Sequence, residues 1–302
     1  MIIDAHQHAF WRHRDDRALV ADMDAYGIDA AWLLTWNIAP GEDCPFYHGV
    51  LNPLNMRSDG THGGITLSDQ ITARQHYRDR FILGYCPHPL LGDAPALFEA
   101  AYHMHGVRVC GEWKCRIPID DPRCIELFRK AGELHCPVIL HLDVPYLFDP
   151  DTQRHVYQPR WFGGTFENLR GALEACPDTI FIGHAAGFWR EISGDADTHP
   201  DVYPREPIVP GGRIADFLET YKNLSVDLSA SSGLYALQRD AQFARDFLCR
   251  FADRILFGRD AHGNELAEFL DSLDLPEDVR AKVFFENALG LAGLPQDHRS
   301  GQ

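Results

Sequence analysis

One stretch near the start of the chain decides how the rest is interpreted: Ile2-Ile3-Asp4-Ala5-His6-Gln7-His8-Ala9-Phe10. Its apolar beginning predicts a buried strand, and side chains in a strand alternate between two faces. Asp4, His6 and His8 are therefore expected on one face. Two neutral imidazoles in this arrangement can chelate one transition-metal ion, with zinc–nitrogen bonds of roughly 2.0–2.1 Å.

A second His-x-His pair, His103-Met104-His105, shows that this spacing alone is not enough. It ends a segment, 94–105, that is predicted to be a helix. Residues two positions apart in a helix point about 200° apart around the axis, so these two imidazoles cannot share an ion. A metal site at the first pair therefore needs support from elsewhere in the chain.

Size and charge limit the class of protein. The chain has 302 residues and a formal net charge of −16, and a single α/β barrel typically takes about 250 residues. We predict one domain, 1–302, that acts on a small molecule. The acidic balance argues against nucleic acid or a membrane surface as partner, since both reward clustered Lys and Arg. No long apolar run or signal segment is apparent, so we expect a soluble cytoplasmic protein, with homo-oligomerisation left open.

The cysteines agree with that expectation. None of the eight stands in a Cys-x-x-Cys pair, which fits neither a disulfide framework nor a zinc ribbon. Most lie in apolar segments, so we interpret them as reduced thiols packed in the core.

Short apolar strands alternate with helices along the whole chain, which predicts parallel pairing. Eight such units close most naturally into a distorted (β/α)₈ barrel of the TIM type with long loops at its C-terminal face. The alternative is an open doubly wound sheet, which usually carries a Gly-rich phosphate turn where this chain has His-Gln-His. After the opening strand, strands are predicted at 30–36, 81–86, 107–114, 137–143, 179–184, 224–229 and 255–260. Helices are predicted at 22–27, 67–80, 94–105, 122–134, 165–175, 213–221, 240–251, 265–273 and 277–286.

The ends of these strands carry metal-ligating and acid–base residue types, where barrel enzymes place their chemistry. Each has an ordinary explanation as well, such as a core histidine or an aspartate that caps the next helix. Several such residues at corresponding ends are unlikely to coincide by chance, so they predict a metal site at one mouth. They are His6 and His8 on strand one, Glu112 and Lys114 on strand four, His141 on strand five, His184 on strand six and Asp260 on strand eight.

In this order and spacing, four motifs resemble the amidohydrolase superfamily: Asp4-Ala5-His6-Gln7-His8, Leu140-His141, Gly183-His184 and Gly258-Arg259-Asp260. The closest resemblance is to its amidohydrolase-related branch, which includes aminocarboxymuconate-semialdehyde decarboxylase-like enzymes and pyrone-dicarboxylate and sugar lactonases. Asn287-Ala288 resembles the closing Asn-Ala of that branch. The resemblance spans essentially the whole chain. It implies a divalent metal, most often zinc with manganese as the alternative, held by His6, His8, His141 and Asp260. His184 would act as a general acid/base or polarise the substrate.

The sequence departs from the usual family pattern in two places. Arg259 stands where Ser or Thr is common, and strand four carries Glu112 and Lys114 on one face. Binuclear relatives use a bridging carboxylate or carboxylated lysine from that strand, and His141 and His184 then hold a second ion. Glu112 is thus a candidate bridge. Lys114 could be carboxylated, pair with Glu112 in a structural ion pair, or bind a substrate carboxylate. The sequence therefore leaves open whether the site holds one ion or two.

The chemistry of such a site suits hydrolysis of a small ester, lactone or amide. A metal with an open position lowers the pKa of bound water to about 7. Asp260 is then placed to take the water proton, and His184 to stabilise the oxyanion or protonate the leaving group. Asp4 is a candidate partner for a ligand imidazole.

Substrate contacts are expected from the loops. Lys114, Arg116 and Arg190 are candidates to receive an acidic group, and Trp11, Phe188 and Trp189 to cover an apolar or ring portion. One alternative is a metal-dependent decarboxylase of a small aromatic or unsaturated acid, in which His184 protonates the carbon that loses carbon dioxide. The other is a barrel that binds metal without catalysis.

Overall fold

A closed ring of eight parallel strands forms the centre of the computed structural model, which describes residues 1–294. The strands are β1 (Ile3–Gln7), β2 (Ala30–Leu33), β3 (Phe81–Leu83), β4 (Cys110–Trp113), β5 (Val138–His141), β6 (Phe181–His184), β7 (Leu224–Asp227) and β8 (Ile255–Leu256). Their pairing forms two runs, β1-β2-β3 and β4-β5-β6-β7-β8.

Two junctions join these runs into a barrel. A parallel bridge between Gly84 and Val109 connects β3 to β4, and the Ala5 N–H donates to the Phe257 carbonyl at 2.9 Å, which connects β1 to β8. The predicted (β/α)₈ barrel is therefore confirmed, and the open sheet is excluded. Residues 295–302, which the predicted single domain includes, lie outside the described residues.

Helices surround the barrel between successive strands. They are α1 (Asp16–Ala25), α2 (Pro45–His48), α3 (Leu67–His76), α4 (Ala94–His105), α5 (Pro122–Glu133), α6 (Phe166–Ala175), α7 (Ala186–Trp189), α8 (Arg213–Thr220), α9 (Ala230–Gln238), α10 (Ala241–Arg250), α11 (Glu265–Ser272), α12 (Glu277–Ala281) and α13 (Asn287–Leu291). A π-helical turn, Lys282–Glu286, joins α12 to α13. Within 1–294, no helix is long and apolar enough to cross a membrane.

Helix α4 shows how local sequence sets these boundaries. The Asp93 carboxylate accepts the Ala96 N–H and begins the helix, and Gly106 ends it in the left-handed region at φ +65°. His103 and His105 lie in its last turn, so the second His-x-His pair is helical as predicted.

The predicted elements differ from the structure mainly at their ends and in the loops. Helix α1 begins at Asp16, six residues before the prediction, because the Asp15 carboxylate caps the Ala18 N–H. Helix α9 was not predicted. The long loop after β2 contains a two-stranded ribbon, Trp36–Asn37 with Gly64–Ile65, and the loop after β5 contains another, Tyr146–Asp149 with Arg154–Tyr157.

The barrel interior is divided between an apolar layer and a polar one. The apolar cluster takes inward-facing residues from several strands, and α13 packs against it. Its strand residues include Ile3, Ala5, Val109, Ile139, Ile182 and Leu256. The polar layer lies toward the C-terminal ends of the strands, because His141 and His184 follow Ile139 and Ile182 two positions further along the same faces.

Candidate metal centre

Four buried imidazoles converge at the C-terminal mouth of the barrel. The ring centroid of His6 lies 5.2 Å from that of His8 and 4.3 Å from that of His184, and the His141 and His184 centroids are 5.2 Å apart. Strands β1, β5 and β6 bring them together although they are distant in sequence. The structure thus places all four predicted histidines at one site.

For three of the four histidines, a contact on one side of the ring fixes which nitrogen faces the centre. Nδ1 of His6 lies 2.6 Å from Asp227 Oδ2, Nδ1 of His8 lies 2.8 Å from the Leu34 carbonyl, and Nδ1 of His184 lies 2.8 Å from Ser229 Oγ. These contacts leave each Nε2 directed inward. Engaging the far nitrogen in this way is typical of metal-binding imidazoles.

Three inward atoms have no hydrogen-bond partner among the described residues although they are buried. They are Nε2 of His6, Nε2 of His184 and Oδ1 of Asp260, and these residues offer ligand atoms that lie within 4.8 Å of one another. Unpaired buried polar groups are costly. Imidazole nitrogen and carboxylate oxygen are the ligands zinc takes, so the residues present fit a divalent metal.

Glu112 occupies the middle of the cluster. Its carboxylate lies 2.5 Å from Nδ1 of His141, 3.5 Å from Nε2 of His8, 3.7 Å from Nε2 of His184 and 4.0 Å from Nε2 of His6. Burial by itself would raise the pKa of Glu112, but Lys114 and His141 outweigh it and hold that pKa well below its usual range. Glu112 is therefore an anion at neutral pH.

The ligand atoms fall into overlapping groups rather than one set. One group is His6, His8 and Glu112, a second is His6, His184 and Asp260, and a third is Glu112, His141 and His184. Glu112, His6 and His184 each belong to two of them, so the bridging role of Glu112 stays a prediction. Asp260 also contacts His8, with 3.5 Å between Oδ1 and Nε2.

Asp227, at the end of β7, was missed by the sequence analysis. It contacts Nδ1 of His6. Burial by itself would lower the pKa of His6, but Asp227 outweighs it and raises that pKa to about 9.

Asp4 was predicted to be the partner of a ligand imidazole, but that prediction was wrong. The pairing register of β1 shifts between Asp4 and Gln7, which interrupts the alternation of faces, and Asp4 lies against Arg259 instead.

Two cations and several aromatic rings line the site beside the carboxylates. Lys114 Nζ lies 3.9 Å from Glu112 Oε1 and 4.5 Å from the Trp36 ring centroid. The Arg116 guanidinium lies 5.6 Å from the Phe162 centroid, and its Nε and Nη2 are buried without partners among the described residues. The Trp11 ring lies 6.3 Å from His8. Lys114, Arg116 and Trp11 therefore border the candidate metal centre, and their contacts with a substrate stay a prediction.

The other predicted substrate contacts lie elsewhere. Arg190 lines a side cavity of about 440 Å³ that reaches Asp143, and its Nη2 donates to the His199 carbonyl at 3.1 Å, so its role in substrate binding stays a prediction. Phe188 and Trp189 are fully buried. The prediction that they cover a substrate was wrong, because α7 folds back against the core.

Comparison with known proteins identifies the class. A family model described as amidohydrolase matches residues 3–294, and the chain belongs to that family. No curated protein matches the sequence.

Several solved structures share the fold at low sequence identity. A 2,6-dihydroxybenzoate decarboxylase from Rhizobium is 17% identical, with 97% of this chain and 98% of that chain covered and a TM-score of 0.60. A provisionally named 2-pyrone-4,6-dicarboxylic acid hydrolase from Pseudomonas putida is 16% identical, with 97% of each chain covered and a TM-score of 0.58. An amidohydrolase from Burkholderia multivorans with bound zinc is 14% identical, with 98% and 100% covered and a TM-score of 0.59. Both reaction types thus occur on this fold.

Proposed function

We propose that this protein is a metal-dependent hydrolase that acts on a small ester, lactone or amide carrying an acidic group. The observation that carries the proposal is the set of buried, unpartnered polar atoms on His6, His184 and Asp260, which lie within 4.8 Å of one another; His6 and Asp260 would hold the ion, and His184 Nε2 would face the substrate. His8, His141 and Glu112 border the same space. This donor set suits zinc, with manganese as the alternative.

A bound divalent ion, held by His6, His8, His141 and Asp260, would polarise a carbonyl and lower the pKa of its water to about 7. Asp260 would accept the proton of the attacking water. Burial lowers the pKa of His184, although Asp227 acts against it, so His184 is neutral at pH 7. Its Nε2 can therefore take up that proton and pass it to the leaving group.

Lys114 and Arg116 are proposed to hold the acidic group of the substrate. Burial alone would lower the pKa of Lys114, but Glu112, Asp260 and Asp143 outweigh it and raise that pKa. Carboxylation requires a neutral amine, so the charge environment favours an ammonium at Lys114. The unpartnered nitrogens of Arg116 offer donors to the same carboxylate.

A second candidate is decarboxylation of an aromatic acid. The rings of Trp11, Trp36 and Phe162 beside two cations suit such a substrate as well, and the Rhizobium neighbour decarboxylates a dihydroxybenzoate. Turnover in water labelled with heavy oxygen separates the two reactions, because hydrolysis incorporates a water oxygen into the organic product, whereas decarboxylation releases carbon dioxide and leaves no water oxygen in the organic product.

Metal content per chain, measured by elemental analysis, is the first test. We expect the wild-type protein to retain zinc or manganese after dialysis and the double variant His6→Asn/His8→Asn to lose it. The matched control is His103→Asn/His105→Asn, which removes an equally spaced pair from α4 and should leave metal content unchanged. A wild-type protein that binds neither metal contradicts the proposal.

Activity is then tested on a panel of carboxylated lactones, esters, amides and aromatic acids. Lys114→Met and Arg116→Gln should raise KM for acidic substrates more than they lower kcat, since they remove binding to a remote group. Tight metal binding without turnover on any member of the panel would instead support a non-catalytic barrel.

A further inference from the structure

Arg259, the departure from the family pattern, is buried directly behind the metal centre. Only 5% of the residue is exposed. Its Nε lies 2.6 Å from Asp4 Oδ2, and its Nη1 lies 2.7 Å from Asp22 Oδ2 on α1 and 2.8 Å from the Gly263 carbonyl. A serine or threonine at this position is too short to reach both carboxylates.

Asp4 connects this arginine to the strand that carries the first two histidines. Asp4 Oδ1 accepts the His6 N–H at 3.2 Å and the Arg259 N–H at 2.9 Å. Its Oδ2 accepts the Gln7 side-chain amide at 2.8 Å. One carboxylate therefore holds backbone groups at the ends of β1 and β8, which close the barrel.

Asp260 depends on the same junction. Its N–H donates to the His6 carbonyl at 2.8 Å, and its backbone lies in the left-handed region at φ +46°, which few residues other than glycine adopt. Surrounding contacts must hold such a conformation in place. The Asp260 N–H is held by His6, the Arg259 carbonyl accepts the Ala230 N–H at 2.8 Å, and Asp4 holds the Arg259 N–H one peptide earlier.

We propose that Arg259 is a positioning residue of the metal centre. Acting through Asp4, its guanidinium holds the His6 and Asp260 backbones so that Nε2 of one and Oδ1 of the other are directed to the same ion. The inference rests on the proposed metal site and extends it to a residue that touches neither metal nor substrate. The inference also gives the register shift in β1 a role in the site, because the shift turns Asp4 away from the histidines and toward Arg259.

The test measures zinc affinity by competition with a chromogenic chelator, together with the visible d–d absorption of the cobalt-substituted protein, which reports ligand geometry. Arg259→Gln should weaken zinc binding about 10–100-fold and alter the cobalt spectrum. Arg259→Lys keeps a charge beside Asp4 and should recover part of both. The matched control is Arg213→Gln, because Arg213 also joins two carboxylates, Glu191 and Asp197, on the outside of the barrel.

Circular dichroism first establishes that each variant folds. If Arg259→Gln does not fold, Asp4→Asn replaces it, since asparagine keeps an oxygen for the two N–H groups but loses the charge, and the same direction of change is expected. A folded variant at either position with wild-type zinc affinity and cobalt spectrum overturns the inference, as does an equal loss in Arg213→Gln. Failure of the wild-type protein to bind zinc or cobalt would instead refute the proposed metal site.

Discussion

Replacing Asp227 by asparagine should exchange the tautomer of His6. Asp227 Oδ1 accepts the Ser229 N–H at 2.6 Å, so the oxygen of an asparagine is required at that position. The amide NH₂ must then face Nδ1 of His6, where Oδ2 now lies at 2.6 Å. A donor in that place forces the His6 proton onto Nε2, which is the nitrogen that faces the metal centre.

The expected loss of zinc affinity depends on pH. In the metal-free protein the pKa of His6 is about 9, so zinc must displace a proton from it below that pH, and wild-type affinity should rise by at least about tenfold per pH unit up to pH 9. Above it, where His6 is neutral in both proteins, the variant should bind about 10–100-fold more weakly, or about 1.4–2.7 kcal/mol. Toward pH 7 the difference in zinc affinity between the two proteins should shrink. The variant lacks the Asp227 charge that raises the pKa of His6, so zinc competes less with a proton on His6 in the variant than in the wild type.

Zinc competition from pH 7 to pH 9 checks both the loss and the slope. Asp16→Asn is the matched control, because Asp16 contacts Nδ1 of His76 at the same distance, 2.6 Å, away from the site. It should leave the affinity and its pH dependence unchanged. An Asp227→Asn protein with wild-type affinity at pH 9 and an unchanged slope would refute the reasoning.

Three further predictions follow from the same contacts. The metal-free protein should lose about 3 kcal/mol of unfolding free energy between pH 6.5 and pH 9 in chemical unfolding. The reason is that folding raises the pKa of His6 from 6.5 to about 9, so the stabilisation from protonated His6 is complete only below pH 6.5. A constant unfolding free energy contradicts this prediction. Glu112→Gln should lower the pKa of Lys114 in a lysine NMR titration, since the Glu112 carboxylate, 3.9 Å from Nζ, is the strongest of the groups that raise that pKa; an unchanged pKa refutes it. Gly183→Ala should cost about 1–3 kcal/mol in thermal unfolding, since its Cβ would lie 2.2 Å from the Phe188 ring; an unaltered melting temperature counts against it.

The fold and most of the site could be predicted because their signals are local. Apolar strands alternating with helices define the barrel, and the fold then places strand ends at one mouth. His141 and His184 end β5 and β6 side by side, so their convergence follows from adjacent pairing. Glu112 could be named as a candidate for the same reason, although its central position among four imidazoles could not.

The residues that the sequence analysis misassigned depend on contacts between distant parts of the chain. Asp227 stands 221 positions from His6, and an aspartate at the end of β7 differs from a surface aspartate only once the barrel is closed. Strand alternation placed Asp4 with the histidines, and a register shift in β1 moved it to Arg259, 255 positions away. A signal was present in the sequence, because β7 ends in an aspartate at the position that indicates site residues on strands one, four, five, six and eight.

The charges buried around the site bear on the number of ions. Four carboxylates and two permanent cations line the cluster itself: Glu112, Asp143, Asp227 and Asp260, with Lys114 and Arg116. With neutral imidazoles, two negative charges remain, which one divalent ion balances. In the metal-free protein, protons on the imidazoles compensate instead, which agrees with the raised pKa values of His6 and His141. A second divalent ion would leave the site positive unless Lys114 became a carbamate anion, a change that removes one positive charge and adds one negative charge. The state of Lys114 and the number of ions are therefore a single question.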